Sequence, residues 1–184
     1  KILLYLGRIN EKKGLDILIK SYPFVFERIK NISLLIIGPD NDNYSSVLKK
    51  LLFLMDSEIS KNIVFDKKVS RSNIKSYFTQ SDLFILPSHT ENFGMTVIES
   101  IYFGAPTLIS KNVDIYNDLE KMNLIKVIQE LKPQILANSI FDSLNDQILK
   151  KRVKEFGKSK INSMYSWDKI SYDINNLTDK YFNL

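Results

Sequence analysis

The chain has 184 residues, of which 44% are hydrophobic and 26% are charged, a composition that excludes a disordered tail and allows one domain with a buried core. No cysteine is present, so disulfide frameworks and thiolate metal sites are excluded and a reducing cytoplasm is the expected location. The net charge of +5 suits phosphate-bearing ligands or the inner face of a membrane, although many lysine-rich proteins carry such a charge for no functional reason.

Short apolar runs alternate with helical patterns through the first two thirds of the chain, and no run is long enough to cross a membrane. Pro23 predicts a kink or a late start in the first helix. The last part, from about Pro133 to Leu184, is predicted to be helical and amphipathic. In chain order, the earlier elements are predicted as a strand at 2–7, a helix at 15–29, a strand at 33–38, a helix at 45–55, a strand at 62–65, a helix at 71–80, a strand at 82–87, a helix at 93–103 and strands at 107–110 and 124–128.

Uninterrupted apolar strands separated by helices indicate a parallel sheet that is covered by helices on both faces. We therefore predict an α/β fold with a Rossmann-like parallel sheet, formed by a single domain over residues 1–184. Ligands of such sheets bind beyond the carboxyl ends of the strands, in the loops that lead into the helices. The loops after the first four strands are therefore where a site is expected.

The loop after the first strand reads GRINEKKGLD. Gly7 allows a sharp turn, Arg8 offers a planar fork of donors, and Lys13 stands at the start of the following helix. A cation there opposes the helix dipole and requires an anion, which a diphosphate would supply. The alternative is a surface turn with solvated charges. The loop lacks the Walker pattern of P-loop proteins.

The loop and helix after the fourth strand read PSHTENFGMTVIES, in which Glu91 and Glu99 lie eight positions apart. Asn92, Phe93 and Gly94 would present free backbone amides at the start of the helix, a cradle for an anion or a hydroxyl group. The Glu99 carboxylate could accept two hydrogen bonds from a vicinal diol such as a ribose. The alternative is that Glu91 caps the helix and Glu99 lies on a solvated face.

The order of these motifs, with a Gly-Pro turn after the second strand and FGAP after the fourth helix, resembles the C-terminal, donor-binding half of GT-B glycosyltransferases, in particular the retaining family 4 (group 1) enzymes. The resemblance is close over residues 2–110, loose over 111–163 and partly restored at YSWDKIS, residues 165–171. It implies that the chain is the nucleotide-sugar donor-binding lobe, and that the N-terminal acceptor lobe is absent from it. The strand-like start at Lys1 also leads us to expect missing upstream sequence.

The resemblance can be carried over residue by residue. It implies that Arg8 and Lys13 hold the donor diphosphate, so that neither a metal nor another cofactor is expected. Glu91 would be the catalytic carboxylate that faces the transferred sugar, and Glu99 would bind the ribose. The remaining donor-binding positions that it implies are the base-binding backbone around Lys68 and Val69 and the sugar and phosphate cradle of Asn92, Phe93 and Gly94.

Two departures from the family pattern affect these expectations. Asn92 stands where glycine is usual, which would tighten the choice of sugar. The common Gly-Gly-x-x-Glu after the fifth strand is replaced by NVDIYNDLE, residues 112–120. The amides of residues 113–115 are expected to replace the glycine amides in contacting the diphosphate.

The resemblance implies transfer of a sugar, with retention, from a nucleotide-diphosphate sugar to an acceptor glycan or lipid-linked glycan in polysaccharide biosynthesis. The acceptor would bind through the missing lobe, so the isolated chain is expected to be inactive. A function of another class is a non-catalytic Rossmann-type nucleotide-binding regulatory domain, which explains the sheet but not the charged residues in register. A nucleic-acid partner is not expected, because most aromatic residues fall on core stripes.

Several other patterns have simpler interpretations. The Asp-Asn-Asp at 40–42 matches a metal motif of other glycosyltransferases, but turns favour these residues and no metal site is expected. His89 is the only histidine and is interpreted as structural instead of catalytic. The lysines of residues 150–160 are interpreted as a solvated face, with contact to a membrane surface as the alternative. Helical spacing places three aromatic residues in the core, namely Tyr77, Phe78 and Trp167.

Overall fold

The computed structural model describes residues 1–67 and 70–182. Within them, one sheet has the strand order β3-β2-β1-β4-β5-β6, and each neighbouring pair is parallel. The predicted α/β, Rossmann-like parallel sheet is therefore confirmed. Its strands are β1 Ile2–Leu6, β2 Ser33–Ile37, β3 Ile63–Asp66, β4 Leu83–Leu86, β5 Thr107–Ser110 and β6 Lys126–Ile128.

Helices connect the strands and then continue beyond the sheet. They are α1 Leu15–Arg28, α2 Ser45–Phe53, α3 Ser57–Ser60, α4 Ile74–Gln80, α5 Met95–Tyr102, α6 Tyr116–Lys121, α7 Pro133–Asn145, α8 Gln147–Tyr165 and α9 Trp167–Phe182. The strand order reverses after β3, and right-handed crossovers then place α1 and α5 on opposite faces of the sheet. α1 packs against α2 and α7, whereas α5 packs against α8.

The centre of the core is formed by β1 and β4, which are neighbours in the sheet. Residues 3–6 and 83–86 are at most 3% exposed, because helices cover both faces of these strands. Their apolar side chains leave little freedom for the backbone at either carboxyl end. The loops that follow β1 and β4 are thus attached to the most deeply buried part of the sheet.

The starts of α1 and α5 bear on two predictions from the sequence. α1 starts at Leu15 and continues through Pro23, so the late start predicted from the proline is wrong. Gly14, in the left-handed conformation with φ 64°, ends the preceding turn and sets this start. α5 starts at Met95, two residues later than predicted, and leaves residues 92–94 in the loop.

The C-terminal helices contain one error of prediction. Phe78 is fully buried and Tyr77 packs against the core, as predicted, but Trp167 is 82% exposed. The main contact of α9 is with α8, which leaves the apolar side chains of α9 largely exposed. Helical spacing identifies an apolar face but does not show what covers it. In the described part of the chain, we find no helix with the length and apolarity that crossing a bilayer requires.

Candidate functional site

A cleft of about 420 Å³ opens at the carboxyl ends of β1 and β4, where the strand order reverses. Open α/β sheets bind their ligands at such reversals. The loops after both strands contribute side chains, so residues far apart in the sequence converge here. The polar and charged part of the lining includes Tyr5, Arg8, Lys13, Glu91 and Thr96. By contrast, a groove of about 460 Å³ on the surface of α8 is lined by that helix alone, so groups from other elements do not converge there.

The loop after β1 holds Arg8 through its backbone. The Ile9 amide donates a hydrogen bond to the Pro39 carbonyl at 2.8 Å. The buried Tyr5 hydroxyl donates to the Arg8 carbonyl at 2.6 Å. Burial raises the pKa of Tyr5, so this hydroxyl remains a neutral donor at physiological pH. The Arg8 guanidinium itself is exposed, and it forms no ion pair with any residue in the described ranges.

Lys13 reaches the same cleft from a short 3-10 turn, Glu11–Lys13. The Asn10 side chain caps this turn by accepting a hydrogen bond from a backbone amide within it, at 2.9 Å. Gly14 follows with φ 64°, and its backbone lies against the Pro87 carbonyl at the end of β4. This close approach fixes Lys13 between the ends of the two central strands.

Glu91 forms an ion pair with Lys13 inside the cleft. The Lys13 side chain is 14% exposed and the Glu91 side chain is 20% exposed. The Glu91 amide donates to the Asn112 carbonyl at 3.0 Å, and the Glu91 carbonyl accepts from the Asp114 amide at 3.1 Å. The loop after β5 therefore fixes the backbone of Glu91, and only its side chain is free to change partner.

Two amides of the segment that replaces the family's glycine motif already donate hydrogen bonds within the protein. The Val113 amide donates to the Ser110 carbonyl at 3.3 Å, and the Asp114 amide donates to the Glu91 carbonyl. The expectation that amides of residues 113–115 replace the glycine amides is therefore wrong for Val113 and Asp114. These two amides instead hold the loop that supports Glu91.

The predicted cradle lies at the start of α5. Among the residues that the structure describes, no acceptor receives a hydrogen bond from the amides of Asn92, Phe93 or Gly94. The N-terminus of a helix carries partial positive charge, which adds to the donors there. Phe93 and Gly94 line the cleft, but Asn92 is exposed and is not part of the lining.

Glu99 does not line the cleft that contains Glu91. It lies instead in a neighbouring cavity of about 560 Å³ formed by α4, α5 and α8, together with Lys75 and Tyr165. Burial raises the pKa of Glu99. The ring of Phe93, at the edge of the cleft, makes an edge-to-face contact with Tyr165, with 5.3 Å between the ring centroids. This aromatic pair lies between the two spaces, so an elongated ligand that contacts both glutamates has to pass beside it.

The remaining sequence-based assignments are placed as follows. Lys68 and Val69, expected to bind a nucleotide base, lie outside the described residues. Of the Asp-Asn-Asp segment, Asp40 accepts from the Ser45 amide at 3.2 Å, while Asp42 accepts from an asparagine side chain at 3.1 Å. Both carboxylates thus have roles in loop structure. In the described ranges, no group of three or more histidine, aspartate or glutamate side chains is arranged to hold a metal ion.

His89 and Tyr5 contribute to the cleft in ways that were not predicted from the sequence. The His89 amide donates to the Lys12 carbonyl at 2.8 Å and so connects the two loops of the cleft, whereas its imidazole is exposed. The structural interpretation of His89 thus applies to its backbone. Tyr5 was predicted only as part of a strand, yet it lines the cleft and holds the Arg8 loop. A polar aromatic residue two positions before a Gly-Arg turn was the available signal.

Comparison with known proteins identifies the family and the fold of the chain. The family model for glycosyl transferases group 1 matches residues 1–160. Mannosylfructose-phosphate synthase of Agrobacterium fabrum is 25% identical over 178 residues, which cover 95% of this chain and 39% of that protein. Sucrose-phosphate synthase from Thermosynechococcus elongatus superposes with a TM-score of 0.77 at 19% identity, covering 99% of this chain and 45% of that one.

A structure of an isolated lobe matches over most of both chains. The C-terminal domain of a glycosyl transferase group 1 protein from Francisella tularensis gives a TM-score of 0.76 at 18% identity, covering 90% of this chain and 86% of that one. The fold is therefore that of the C-terminal lobe of a GT-B glycosyltransferase. The chain spans 39% of the mannosylfructose-phosphate synthase, and 44% of an uncharacterized glycosyltransferase of Methanocaldococcus jannaschii to which it is 25% identical over 178 residues, so it covers less than half the length of these curated relatives. Because the family match covers residues 1–160 of 184, the chain belongs to the glycosyl transferases group 1 family.

Proposed function

We propose that this chain is the donor-binding lobe of an enzyme that transfers a sugar, with retention, from a nucleotide-diphosphate sugar to an acceptor glycan or lipid-linked glycan. One observation carries the proposal. Two cations, one carboxylate and the free amides before α5 are placed around a single cleft at the reversal of strand order. That combination suits a ligand with a doubly charged centre and a hydroxyl-rich end.

The diphosphate would bind between Arg8, Lys13 and the N-terminus of α5. Arg8 suits this role because its exposed guanidinium can form a fork of charged hydrogen bonds with phosphate oxygens. When the bond between the sugar and the diphosphate breaks, its electron pair moves to the phosphate oxygen. Fixed cations and amides are most effective where such negative charge develops, so we propose that no metal is required.

The transferred sugar would lie beside Glu91. A carboxylate accepts hydrogen bonds but donates none, so it would bind sugar hydroxyls and orient the reacting carbon. Both backbone hydrogen bonds of Glu91 are made to the loop after β5, which keeps the carboxylate in place. We therefore propose Glu91 as the catalytic carboxylate of the lobe, with positioning of the sugar as its contribution.

The nucleoside would occupy the neighbouring cavity, where Glu99 would accept hydrogen bonds from the ribose diol. Glu99→Gln is expected to raise the dissociation constant of a ribonucleoside diphosphate about tenfold or more, since a hydrogen bond to a charged group contributes roughly 1.5–3 kcal/mol. The affinity for the 2′-deoxy analogue should fall less, because this ligand lacks one of the two hydroxyl groups that would donate to Glu99. Calorimetric titration of both ligands into both proteins measures the difference, and equal losses would contradict a ribose contact.

The raised pKa of Glu99 adds a pH dependence to this prediction. The carboxylate form, which accepts hydrogen bonds, is lost as the pH falls through a pKa above the ordinary value of 4.5. The preference of the wild type for the ribonucleotide should therefore decline on acidification before ordinary glutamates titrate. The Glu99→Gln variant should show no such decline. A preference that is constant down to pH 4.5 would contradict the role of Glu99.

The proposed function is tested with a panel of nucleoside diphosphates and their sugar conjugates. Calorimetry should find at least one with a dissociation constant on the order of 0.01–1 mM. Single-stranded DNA and RNA of mixed sequence serve as the controls for binding through net positive charge alone. Binding of the oligonucleotides together with failure of every diphosphate would reject the donor-binding role.

The chain alone is expected to bind a donor without transferring its sugar. We propose that the acceptor binds to a part of the enzyme that this chain does not include. We also propose that the whole enzyme acts in the cytoplasm. The exposed lysines of α8 would allow contact with the inner face of a membrane. Positioning donor and acceptor together can supply roughly 7–11 kcal/mol of the barrier. Product analysis after incubation with sugar donors and an acceptor panel is the measurement. Transfer at about 1 per second or faster would contradict the expectation.

A further inference from the structure

The ion pair between Lys13 and Glu91 joins two groups that the proposed function assigns to different parts of the donor. Lys13 would hold the diphosphate and Glu91 would hold the sugar. In the free protein, however, each is the partner of the other. Both side chains are mostly buried, at 14% and 20% exposure, so water replaces a lost partner poorly.

Neighbouring groups offer Glu91 little compensation if Lys13 moves to a phosphate. The Tyr5 hydroxyl lies close enough for the Glu91 charge to raise its pKa further, after the effect of burial, but this hydroxyl already donates to the Arg8 carbonyl. The backbone of Glu91 is held at both its amide and its carbonyl, so the residue cannot swing into solvent as a whole. A diphosphate that takes Lys13 therefore leaves a carboxylate without a partner and close to new negative charge.

A sugar changes this balance because its hydroxyl groups donate hydrogen bonds to the carboxylate. The phosphates of an intact donor can pair with Lys13 while its sugar hydroxyls donate hydrogen bonds to Glu91. A bare diphosphate can pair with Lys13 but offers Glu91 no hydroxyl groups from a sugar. Resting on the proposed function, we propose that Glu91 competes with the diphosphate for Lys13, and so selects the intact sugar donor against the nucleoside diphosphate that remains after transfer.

The test is the variant Glu91→Gln, titrated with uridine, guanosine or adenosine diphosphate and with the matching sugar conjugate. The base is chosen as the one that the wild type binds most tightly. Removal of the competing charge should strengthen binding of the diphosphate about tenfold, near the lower end of the coupling measured for close charge pairs at interfaces. The sugar conjugate should gain less or lose affinity. Glutamine keeps the length of the side chain and both backbone hydrogen bonds.

Two controls separate this effect from others. Glu155→Gln removes the same charge from an exposed position on α8 and should change neither affinity. In a Lys13→Met background, Glu91→Gln should no longer strengthen diphosphate binding, because the competition for Lys13 is gone. If Glu91→Gln proves unstable in a thermal melt, Glu91→Ala removes the same carboxylate and the same gain is expected.

The outcomes distinguish this inference from the proposed function. Unchanged or weaker diphosphate binding by both Glu91 variants overturns the competition while leaving donor binding intact. A gain that persists in the Lys13→Met background overturns it as well, since Glu91 then acts only by general repulsion. Failure of the wild type to bind any diphosphate or sugar conjugate overturns the proposed function and, with it, the inference.

Discussion

Simultaneous replacement of Arg8 and Lys13 by alanine is expected to raise the dissociation constant of a nucleoside diphosphate about 100-fold or more. Each charged hydrogen bond to a phosphate contributes roughly 1.5–3 kcal/mol, so each single variant should lose about tenfold. Arg8 is exposed without an ion pair in the described ranges, and its loop is held by backbone contacts, so the fold should tolerate its loss. Loss of Lys13 leaves the mostly buried Glu91 carboxylate without its partner and should lower the stability of the fold, so thermal melts of all variants accompany the titrations. Isothermal titration calorimetry measures all three variants.

The matched control for this prediction is Lys12→Ala. Lys12 is adjacent to Lys13 in the same turn, but its side chain is exposed and does not line the cleft. This variant should retain wild-type affinity, which shows that position and not net charge determines binding. An unchanged dissociation constant in the double variant would refute the assignment of Arg8 and Lys13 to the diphosphate.

Gly14→Ala is expected to destabilise the fold by about 3 kcal/mol or more, a value typical of strain and backbone clash. The residue has φ 64°, and a Cβ atom would lie far inside van der Waals contact with the carbonyl oxygen of Pro87. Because Pro87 directly follows the buried strand β4, its carbonyl is held in place and the Gly14 loop has to move instead. Urea denaturation measures the loss, and diphosphate binding should fall as well, because Lys13 moves with the loop.

Gly104→Ala separates the clash from the cost of the backbone conformation. Gly104 also has a positive φ, 81°, but the nearest heavy atom to an added Cβ would be 3.7 Å away, at Lys154. Its loss of stability should be only about 1–2 kcal/mol, the cost of the left-handed conformation for a residue with a side chain. Equal losses at Gly14 and Gly104 would show that the approach to Pro87 is not what requires glycine.

The sequence predicted the sheet well because the physical signal for a buried parallel strand is local. Five or so consecutive apolar residues between helical segments identify β1 and β4 without any knowledge of their neighbours. The same signal placed Arg8, Lys13 and Glu91 at carboxyl strand ends, and the structure brings all three into one cleft. That convergence follows from the rule that parallel strands end at a common edge.

What the sequence did not provide depends on contacts between distant segments. The pairing of Lys13 with Glu91 requires the β1 and β4 loops to meet, and the use of the Val113 and Asp114 amides requires the β5 loop to join them. Glu99 faces a separate cavity because α8 packs beside α5, which helical spacing alone cannot show. Trp167 was wrongly predicted to lie in the core, because helical spacing does not show whether another element covers the apolar face of a helix.

Assignment of backbone amide shifts in the labelled chain, followed by titration with a nucleoside diphosphate, tests the central claim most directly. The account predicts that the largest shift changes occur at Arg8, Lys13 and residues 92–94, which surround the cleft, and that the groove of residues 147–156 on α8 is unaffected. Shift changes that cluster on the groove of residues 147–156, with none around the cleft, would contradict it.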